Sequence, residues 1–454
     1  MNTQNAPISL GTERVSILLR QYAIPAIIAQ TATSLYNMID SIFIGHGVGP
    51  LALSGLAVTF PLMNLSTAFG TLVGVGSATM ISMRLGQKDY NNAQNILGNA
   101  VILNIIISIL FAAISFIFLD PILYFFGASE DTLPYARDYM GVLLLGNVIT
   151  HLYFGLNNIL RASGHPKKAM GATIMTVVIN TILDPIFIFW FGWGIKGAAI
   201  ATVLGQLLAL LWQFGFFSNK NNLLHFKKGI FKLKREIIAP ALLIGVSPFL
   251  MNVASSLIVI LINQALGRHG GDLAIGAFGI INRIEYLFIM IVLGFNQGMQ
   301  PIAGYNYGAK QYERVTEVLK LTIRWATLVT SIGFIIGMVF PDLAVSLFTL
   351  DTDLKGISVV GLRITIAMFP IIGFQMVTSN FFQSIGMVKK SIFLSLTRQV
   401  LFLIPAILIC AYYWGVIGVW ISIPISDFLA SITSGIMLWR QFNFFKKQSL
   451  GPIK

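Results

Sequence analysis

Twelve long runs of hydrophobic residues, separated by short polar segments, make up most of this chain. A helix of about 20 residues crosses the ~30 Å hydrocarbon core of a bilayer, and each run can form one. Proline interrupts many of the runs, so we expect several bent helices. The predicted spans cover residues 16–43, 52–83, 93–119, 134–160, 169–190, 195–217, 237–266, 273–303, 315–340, 355–384, 391–413 and 416–440.

The composition agrees with an all-α polytopic membrane protein. Hydrophobic residues make up 56% of the chain and charged residues 10%, which excludes a water-soluble globule. The formal net charge is +13, but the basic residues lie in short loops between the runs, so we expect no nucleic-acid partner. The single cysteine excludes an intramolecular disulfide. The polar first residues do not resemble a signal peptide, so we expect the first span to be retained.

The positions of the basic residues predict the orientation. They concentrate in the loops after the even-numbered spans, whereas the other loops hold few. By the positive-inside rule we expect both termini and every even loop to be cytoplasmic, in a plasma (inner) membrane. The basic residues of the even loops are Arg84, Lys88, Arg161, Lys167, Lys168, the segment 220–235, Lys310, Arg314, Lys389 and Lys390.

An internal repeat divides the chain into two halves. A constant offset of 222 positions takes Leu-Gly-Gln-Lys-Asp-Tyr at 85–90 to Tyr-Gly-Ala-Lys-Gln-Tyr at 307–312, and Lys167-Lys168 to Lys389-Lys390. Each half has six spans and enters the membrane in the same direction, which is a parallel repeat. We therefore predict two six-helix lobes, 1–218 and 236–454, joined by a basic cytoplasmic linker at 219–235. This architecture is typical of alternating-access carriers.

Two acids lie inside predicted spans of the first half. Asp40 follows Asn37 by one turn, and Asp184 lies four residues after Asn180 on one helix face. An ionised Asp at the bilayer centre costs at least about 2.5 kcal/mol, so such acids are functional-site candidates. The alternative is that each acid merely pairs with an arginine or caps a helix break. We predict that the two acids meet inside the bundle and bind a cation.

The second half lacks this polar set. The same offset takes Asn180 to Phe402, Asp184 to Ala406 and Thr202 to Pro424. The carboxylate and its neighbours disappear together, which is expected if the N-terminal lobe alone houses the cation.

The chain resembles the MATE family of multidrug and toxic compound extrusion transporters, in its DinF-like and MepA-like branches. The resemblance covers essentially the whole chain. It rests on the twelve spans in two similar halves and on four motifs: Tyr-Asn-Met-Ile-Asp-Ser-Ile-Phe-Ile-Gly at 36–45, Arg-Leu-Gly-Gln-Lys at 84–88, Arg-Ala-Ser-Gly-His-Pro-Lys-Lys at 161–168 and Asn-Thr-Ile-Leu-Asp-Pro at 180–185.

The resemblance implies export of organic cations or other amphipathic small molecules in exchange for Na⁺ or H⁺, with no cofactor. It implies a cation site that looks like Asp40, Asn180, Asp184 and Thr202 here, with Asn157 nearby. We assign substrate and proton coupling to Asp40, Asn37, Asn157 and Asp184. The extra acids of the NorM-like branch on spans 7 and 10 are absent here, which argues against a C-lobe cation site of that kind.

The residue types suit a hard cation or a proton. Na⁺ prefers oxygen ligands, and the absence of His and Cys from the set argues against a transition metal. Two carboxylates that lie close together in a low dielectric repel each other, and either a proton or a metal cation relieves that repulsion. The choice between Na⁺ and H⁺ therefore stays open.

A second set of charges falls inside spans of the second half. It consists of Arg283 and Glu285 on span 8, Arg363 on span 10 and Asp427 on span 12. Buried charges must find partners, so we expect these residues to form a second buried network, with Arg398 as a further partner for Glu285. The network is either a structural clamp or a contact for substrate or protons.

Other functions are weighed against export. A flippase for lipid-linked or polysaccharide precursors is the main alternative, although a cation site of acids does not suit a pyrophosphate. An enzyme finds no support, because no Ser/His, Glu-x-x-His or paired His motif falls within a span. No Gly-x-x-x-x-Gly-Lys-[Ser/Thr] motif is present, so an ion gradient rather than ATP would drive transport. We expect a monomer surrounded by membrane lipid.

Overall fold

The structure is a computed structural model that describes residues 9–349 and 351–449. All its regular elements in this part of the chain are helical, which confirms the predicted all-α class. Residues 1–8 and 450–454, the two termini that are predicted to be cytoplasmic, lie outside the described residues.

Six membrane helices make up the first half. Helix α4 consists of two segments bent by 57°, and α5 ends in a π-helical turn that begins immediately after Pro185. The bounds are α1 Val15–Gly47, α2 Pro50–Gly86, α3 Tyr90–Ile117, α4 Leu133–Leu145 with Asn147–Ala162, α5 Pro166–Pro185 with Ile186–Trp190, and α6 Gly194–Ser218.

Six further helices follow. Two long helical stretches each contain two spans joined at a glycine of positive φ, Gly271 between α7 and α8 and Gly415 between α11 and α12. The bounds are α7 and α8 within Arg235–Gly308, α9 Tyr312–Val339, α10 Thr352–Thr365 with Ile366–Met368 and Phe369–Ser384, and α11 and α12 within Val388–Leu396, Thr397–Leu403 and Ile404–Ser449. Short helices cover Ser9–Thr12, Leu119–Phe125 and Pro341–Ser346.

The helix lengths agree with the twelve predicted spans. Eight of the described continuous helices are long and apolar enough to cross a membrane, and bent α4 makes a ninth span. Two of those eight hold two spans each, as their glycine breaks show. These helices account for eleven spans, and helix α1, which covers the predicted span 16–43, brings the number to twelve.

The repeat is visible in the backbone as well as in the sequence. Lys88 and Lys310, which are 222 positions apart, both adopt φ 59°, and they are the non-glycine residues with positive φ in the described part of the chain. The glycine pair 164 and 386 also shares positive φ, at 96° and 71°. The loops between matching helices therefore repeat their turn geometry and keep the same residue at these positions, although other side chains of the loops differ.

Gly164 offers a test of this turn. Its φ of 96° suits glycine alone, so Gly164→Ala should destabilise the fold by about 1–2 kcal/mol. A Cβ added to the exposed helical Gly171 would meet no neighbouring group within 4 Å, so Gly171→Ala should not destabilise the fold. Thermal unfolding of the detergent-purified variants measures both effects, and equal midpoints would contradict the expectation.

The helices form two compact units. One unit contains Ile28–Phe249, and the other contains Glu13–Ile27 together with the residues from Leu250 onward. The first parts of α1 and α7 thus each pack with the helices of the opposite half of the sequence. The lobe boundaries at 218 and 236 remain a prediction.

Glycines on α2 and α8 make this packing possible. A Cβ on Gly76 of α2 would lie 1.9 Å from the carbonyl oxygen of Ala241 on α7. At the matching position of the repeat, a Cβ on Gly298 of α8 would lie 2.6 Å from the backbone nitrogen of Ala23 on α1. Small residues let helix backbones approach closely where a larger side chain would separate them.

Candidate functional site

Helices α1 and α5 bring two carboxylic acids of one unit together. Asp40 on α1 is 4% exposed and Asp184 on α5 is fully buried. Their carboxyl groups lie within hydrogen-bonding distance of each other. The structure therefore places in contact two acids that are separated by 144 positions in the sequence, as predicted.

Close helix packing creates this contact. A Cβ on Gly47, near the end of α1, would lie 2.6 Å from side-chain atoms of both Ile188 and Phe189 in the π-helical turn of α5. Pro185 lacks the N–H that would continue the ladder, and the wider turn begins directly after it. Asp184 therefore lies at the point where regular α-helix ends, against the last turns of α1.

Helix α6 supplies a third side of the site. A Cβ on Gly205 would lie 3.0 Å from the carbonyl oxygen of Thr176 on α5, so the two backbones are nearly in contact. This approach places Thr202, one turn before Gly205, beside Asn180.

Asn180 links the polar groups of α5 and α6. Its Nδ2 donates to Asp184 Oδ1 at 3.2 Å and to Thr202 Oγ1 at 3.2 Å. The hydroxyl groups of Thr202 and Tyr36 share a further hydrogen bond of 3.3 Å. Four side chains from three helices thus form one hydrogen-bonded set around the acid pair.

The site has more acceptors than donors. Asp40 Oδ1, Asp184 Oδ2 and Asn180 Oδ1 are buried and have no hydrogen-bond partner among the described residues. The ion pairs of the described residues include neither acid, so the alternative of pairing with an arginine finds no support. Buried acceptors without donors are costly, and a bound cation or proton removes that cost.

Two other predicted residues lie outside this hydrogen-bonded set. Asn157 on α4 is buried, donates from Nδ2 to Thr173 Oγ1 at 3.0 Å, and leaves its Oδ1 without a partner in the described structure. Asn37 is exposed, and only its backbone oxygen has a described contact there, with Ser41 Oγ at 2.9 Å. The hydrogen-bonded set therefore contains neither Asn157 nor Asn37.

Tyrosines complete the surroundings and were not predicted. Tyr36 lies one turn before Asp40 on the same face of α1, so helical spacing could have identified it. Tyr139 of α4 is 2% exposed and lies near both carboxyl groups. Its contribution depends on the packing of α4, which the local sequence does not indicate.

The donor set suits a small hard cation or a proton. Carboxylate, amide and hydroxyl oxygens are ligands that such cations prefer. Within the described residues, no group of three His, Cys, Asp or Glu side chains could hold a metal ion. The arrangement thus offers two acids with supporting neutral oxygens.

The second predicted network forms in part, in the other unit. Asp427 of α12 pairs with Arg398 of α11 at 2.5 Å, and Thr365 Oγ1 donates to Glu285 Oε1 at 2.7 Å. Glu285 lies close enough to interact electrostatically with both Asp427 and Arg398. Arg283 and Arg363 are exposed, and the ion pairs of the described chain do not include them.

Comparisons with known proteins point to one family. The MatE family model matches residues 25–186 and 248–408, one segment in each half of the sequence. The multidrug export protein MepA of Staphylococcus haemolyticus is 26% identical over 409 residues, which are 90% of each chain. The MepA of Staphylococcus aureus strain MSSA476 is 25% identical over 421 residues, 93% of each chain.

A solved structure shares the fold over nearly the full length. A crystal structure of MATE in the bent conformation superposes with a TM-score of 0.92 at 27% identity, covering 98% of this chain and 99% of that one. The family resemblance predicted from the motifs is thereby confirmed.

Proposed function

Because the chain belongs to the MatE family, a family of membrane transporters rather than enzymes, we propose that it exports organic cations in exchange for Na⁺ or H⁺. The MepA relatives are named multidrug export proteins, which supports small amphipathic molecules as the cargo. The protein is a multi-pass membrane protein. We further propose that it lies in the plasma (inner) membrane as a monomer, with both termini in the cytoplasm.

One observation carries the exchange mechanism. Two buried carboxylates lie together without a cationic partner among the described residues. The uncompensated negative charge is costly in a low dielectric, so the pair has a strong preference to bind one positive charge. A proton on either carboxyl group would supply this charge. Na⁺ would also supply it, bound between Asp40 and Asp184 with the side-chain oxygens of Asn180 and Thr202 as further ligands.

Coupling requires that the ion bind two conformations with different affinity. The acids lie on different helices, so separating α1 from α5 would separate the carboxylates and weaken ion binding. Pro25 in α1 and Pro185 in α5 are the positions where these helices lack a ladder hydrogen bond and can bend. Ion binding would then favour the conformation in which the two helices are in contact, with substrate binding weakened.

The charge of the site favours cationic cargo over lipid-linked pyrophosphate. A flippase for such precursors would need basic side chains in its cavity to compensate the phosphates. The described set around Asp40 and Asp184 contains two acids and neutral groups from Tyr36, Asn180 and Thr202. This set would repel an anionic head group.

Everted membrane vesicles test the proposal. Their lumen corresponds to the outside, so export appears as accumulation of a fluorescent cation such as ethidium. We expect vesicles loaded with Na⁺, or with acid, to accumulate ethidium as the loaded ion leaves, whereas ATP without either gradient should have no effect. The ion whose gradient drives ethidium accumulation by itself is the coupling ion.

Two controls define the outcome. Vesicles loaded with K⁺ in place of Na⁺ distinguish a specific effect of Na⁺ on accumulation from an osmotic effect. A protonophore removes the pH gradient and leaves the Na⁺ gradient in place. Accumulation that requires ATP while both gradients are ineffective would reject ion exchange.

A further inference from the structure

The second unit holds two acids, one buried and one partly buried, beside a single base. Asp427 is 1% exposed and accepts a hydrogen bond from Arg398 Nε at 2.5 Å. Glu285 is partly buried, interacts with the charges of both, and accepts a hydrogen bond from Thr365, which is 1% exposed. With all three groups ionised, the cluster carries one uncompensated negative charge.

Further charges on the surrounding helices do not balance the cluster. Arg283 on α8 and Arg363 on α10 are exposed, and neither interacts electrostatically with Glu285 among its described neighbours. Buried charges are retained at low cost only when each has a partner. Arg398 already donates to Asp427, so Glu285 depends on a neutral hydroxyl group for its direct contact.

A cavity of about 50 Å³, lined by both polar and apolar side chains, reaches Arg398. A water molecule needs about 10–15 Å³ of such space, so the cavity can hold a few. Asn296 Oδ1 and Gln399 Oε1 line it as buried acceptors without a partner among the described residues, and their side chains are 3% and 7% exposed. These acceptors require donors, which water in the cavity would supply beside Arg398.

We propose that Glu285, held by Thr365 beside the Arg398–Asp427 pair, is a second proton-binding site of this protein. Because Glu285 is only partly buried, a hydronium ion in water at its side chain can transfer a proton to the carboxylate, which becomes a carboxylic acid and leaves water behind. The net charge of the three side chains then changes from minus one to zero. Asp427 is not the acceptor, because its carboxylate is already paired with Arg398.

A proton fits this site and a metal cation does not. Arg398 is a fixed positive charge next to both carboxylates and repels Na⁺, whereas a proton joins one oxygen covalently. Only one hydroxyl group, that of Thr365, is described at the Glu285 carboxylate, too few oxygens for a metal coordination shell. The proposal does not depend on exchange at Asp40 and Asp184, because the two clusters lie in different units.

Infrared difference spectroscopy tests the proposal without any transport. The full-length D40N/D184N double variant serves as the background, because it removes the other buried carboxyl pair. Exposed carboxyl groups, with a pKa of about 4, are ionised at neutral pH. We therefore expect this background to show a protonated-carboxyl C=O band at neutral pH that alkali removes, and we expect Glu285→Gln to abolish that band.

Thr365→Val is the matched positioning variant. It removes the hydroxyl group that donates to Glu285 but keeps the acid, so the band should remain and move to higher wavenumber. Size-exclusion chromatography verifies that each variant is folded. Absence of the band from the background, its survival in Glu285→Gln, or an unchanged wavenumber in Thr365→Val would each overturn the assignment. A misfolded Glu285→Gln leaves the Thr365→Val shift as the decisive measurement.

Discussion

Asp40→Asn and Asp184→Asn should each abolish accumulation of ethidium driven by an ion gradient in everted vesicles. Asparagine has nearly the same shape but no charge, so each variant leaves one carboxylate where two now lie together. A hydrogen bond to a charged group contributes about 1.5–3 kcal/mol, so we expect ion affinity to fall roughly 10- to 100-fold. Initial rates of accumulation under an imposed Na⁺ or pH gradient measure the effect.

Asp138→Asn is the matched control for these variants. It makes the same chemical change in the same unit, but Asp138 is 40% exposed and pairs with Lys196 at 3.1 Å. We expect this variant to transport at the unaltered rate, because exposed ion pairs contribute little. Normal transport by both Asp40→Asn and Asp184→Asn would reject the acid pair as the coupling site, whichever ion drives the protein.

Gly245→Ala should sharply lower the stability of the protein, although it adds a single methyl group. A Cβ at this position of α7 would lie 1.7 Å from the carbonyl oxygen of Leu72 on α2, so one backbone must move. Over-packing of this kind costs typically about 1–3 kcal/mol, and rigid backbone atoms on both sides place this case at the upper end or beyond. Thermal unfolding in detergent measures the loss, together with the yield of monodisperse protein.

Gly279→Ala provides the comparison for Gly245→Ala. Gly279 is an exposed helical residue of α8, and a Cβ there would meet no neighbouring group within 4 Å. Since alanine favours a helix more than glycine by up to about 1 kcal/mol, this variant should be neutral or slightly more stable. If the two variants unfold at the same temperature, the backbones of α2 and α7 do not approach each other this closely.

Much of the fold follows from local patterns. Helix class, the number of spans and their approximate bounds depend on hydropathy over about 20 residues, which the chain displays directly. The repeat could be detected because matching turns retain the same few residues, as at Lys88 and Lys310, where the backbone geometry is also the same. By contrast, the division of α1 and α7 between the two compact units has no local signal, because it depends on which glycine faces which helix.

The second network shows why helix contacts limit such predictions. Arg283 and Arg363 lie within predicted spans, yet the structure exposes both side chains. Arg398 instead pairs with Asp427 and lies close enough to Glu285 to interact electrostatically, on a π-helical segment whose side-chain directions differ from those of a regular α-helix. Sequence position shows that a charge lies within a span but not which neighbour it faces.

The sequence by itself determined that the chain crosses the membrane many times in two similar halves, and that Asp40, Asn180 and Asp184 lie within apolar helices of the first half. Helical periodicity also placed Asn180 and Asp184 on one face. Only the tertiary structure decided that this face meets α1 at Asp40 and α6 at Thr202, with Tyr36 joining them. The reason is physical: periodicity specifies the face of one helix, whereas the contact between faces depends on close backbone approach at residues such as Gly47 and Gly205.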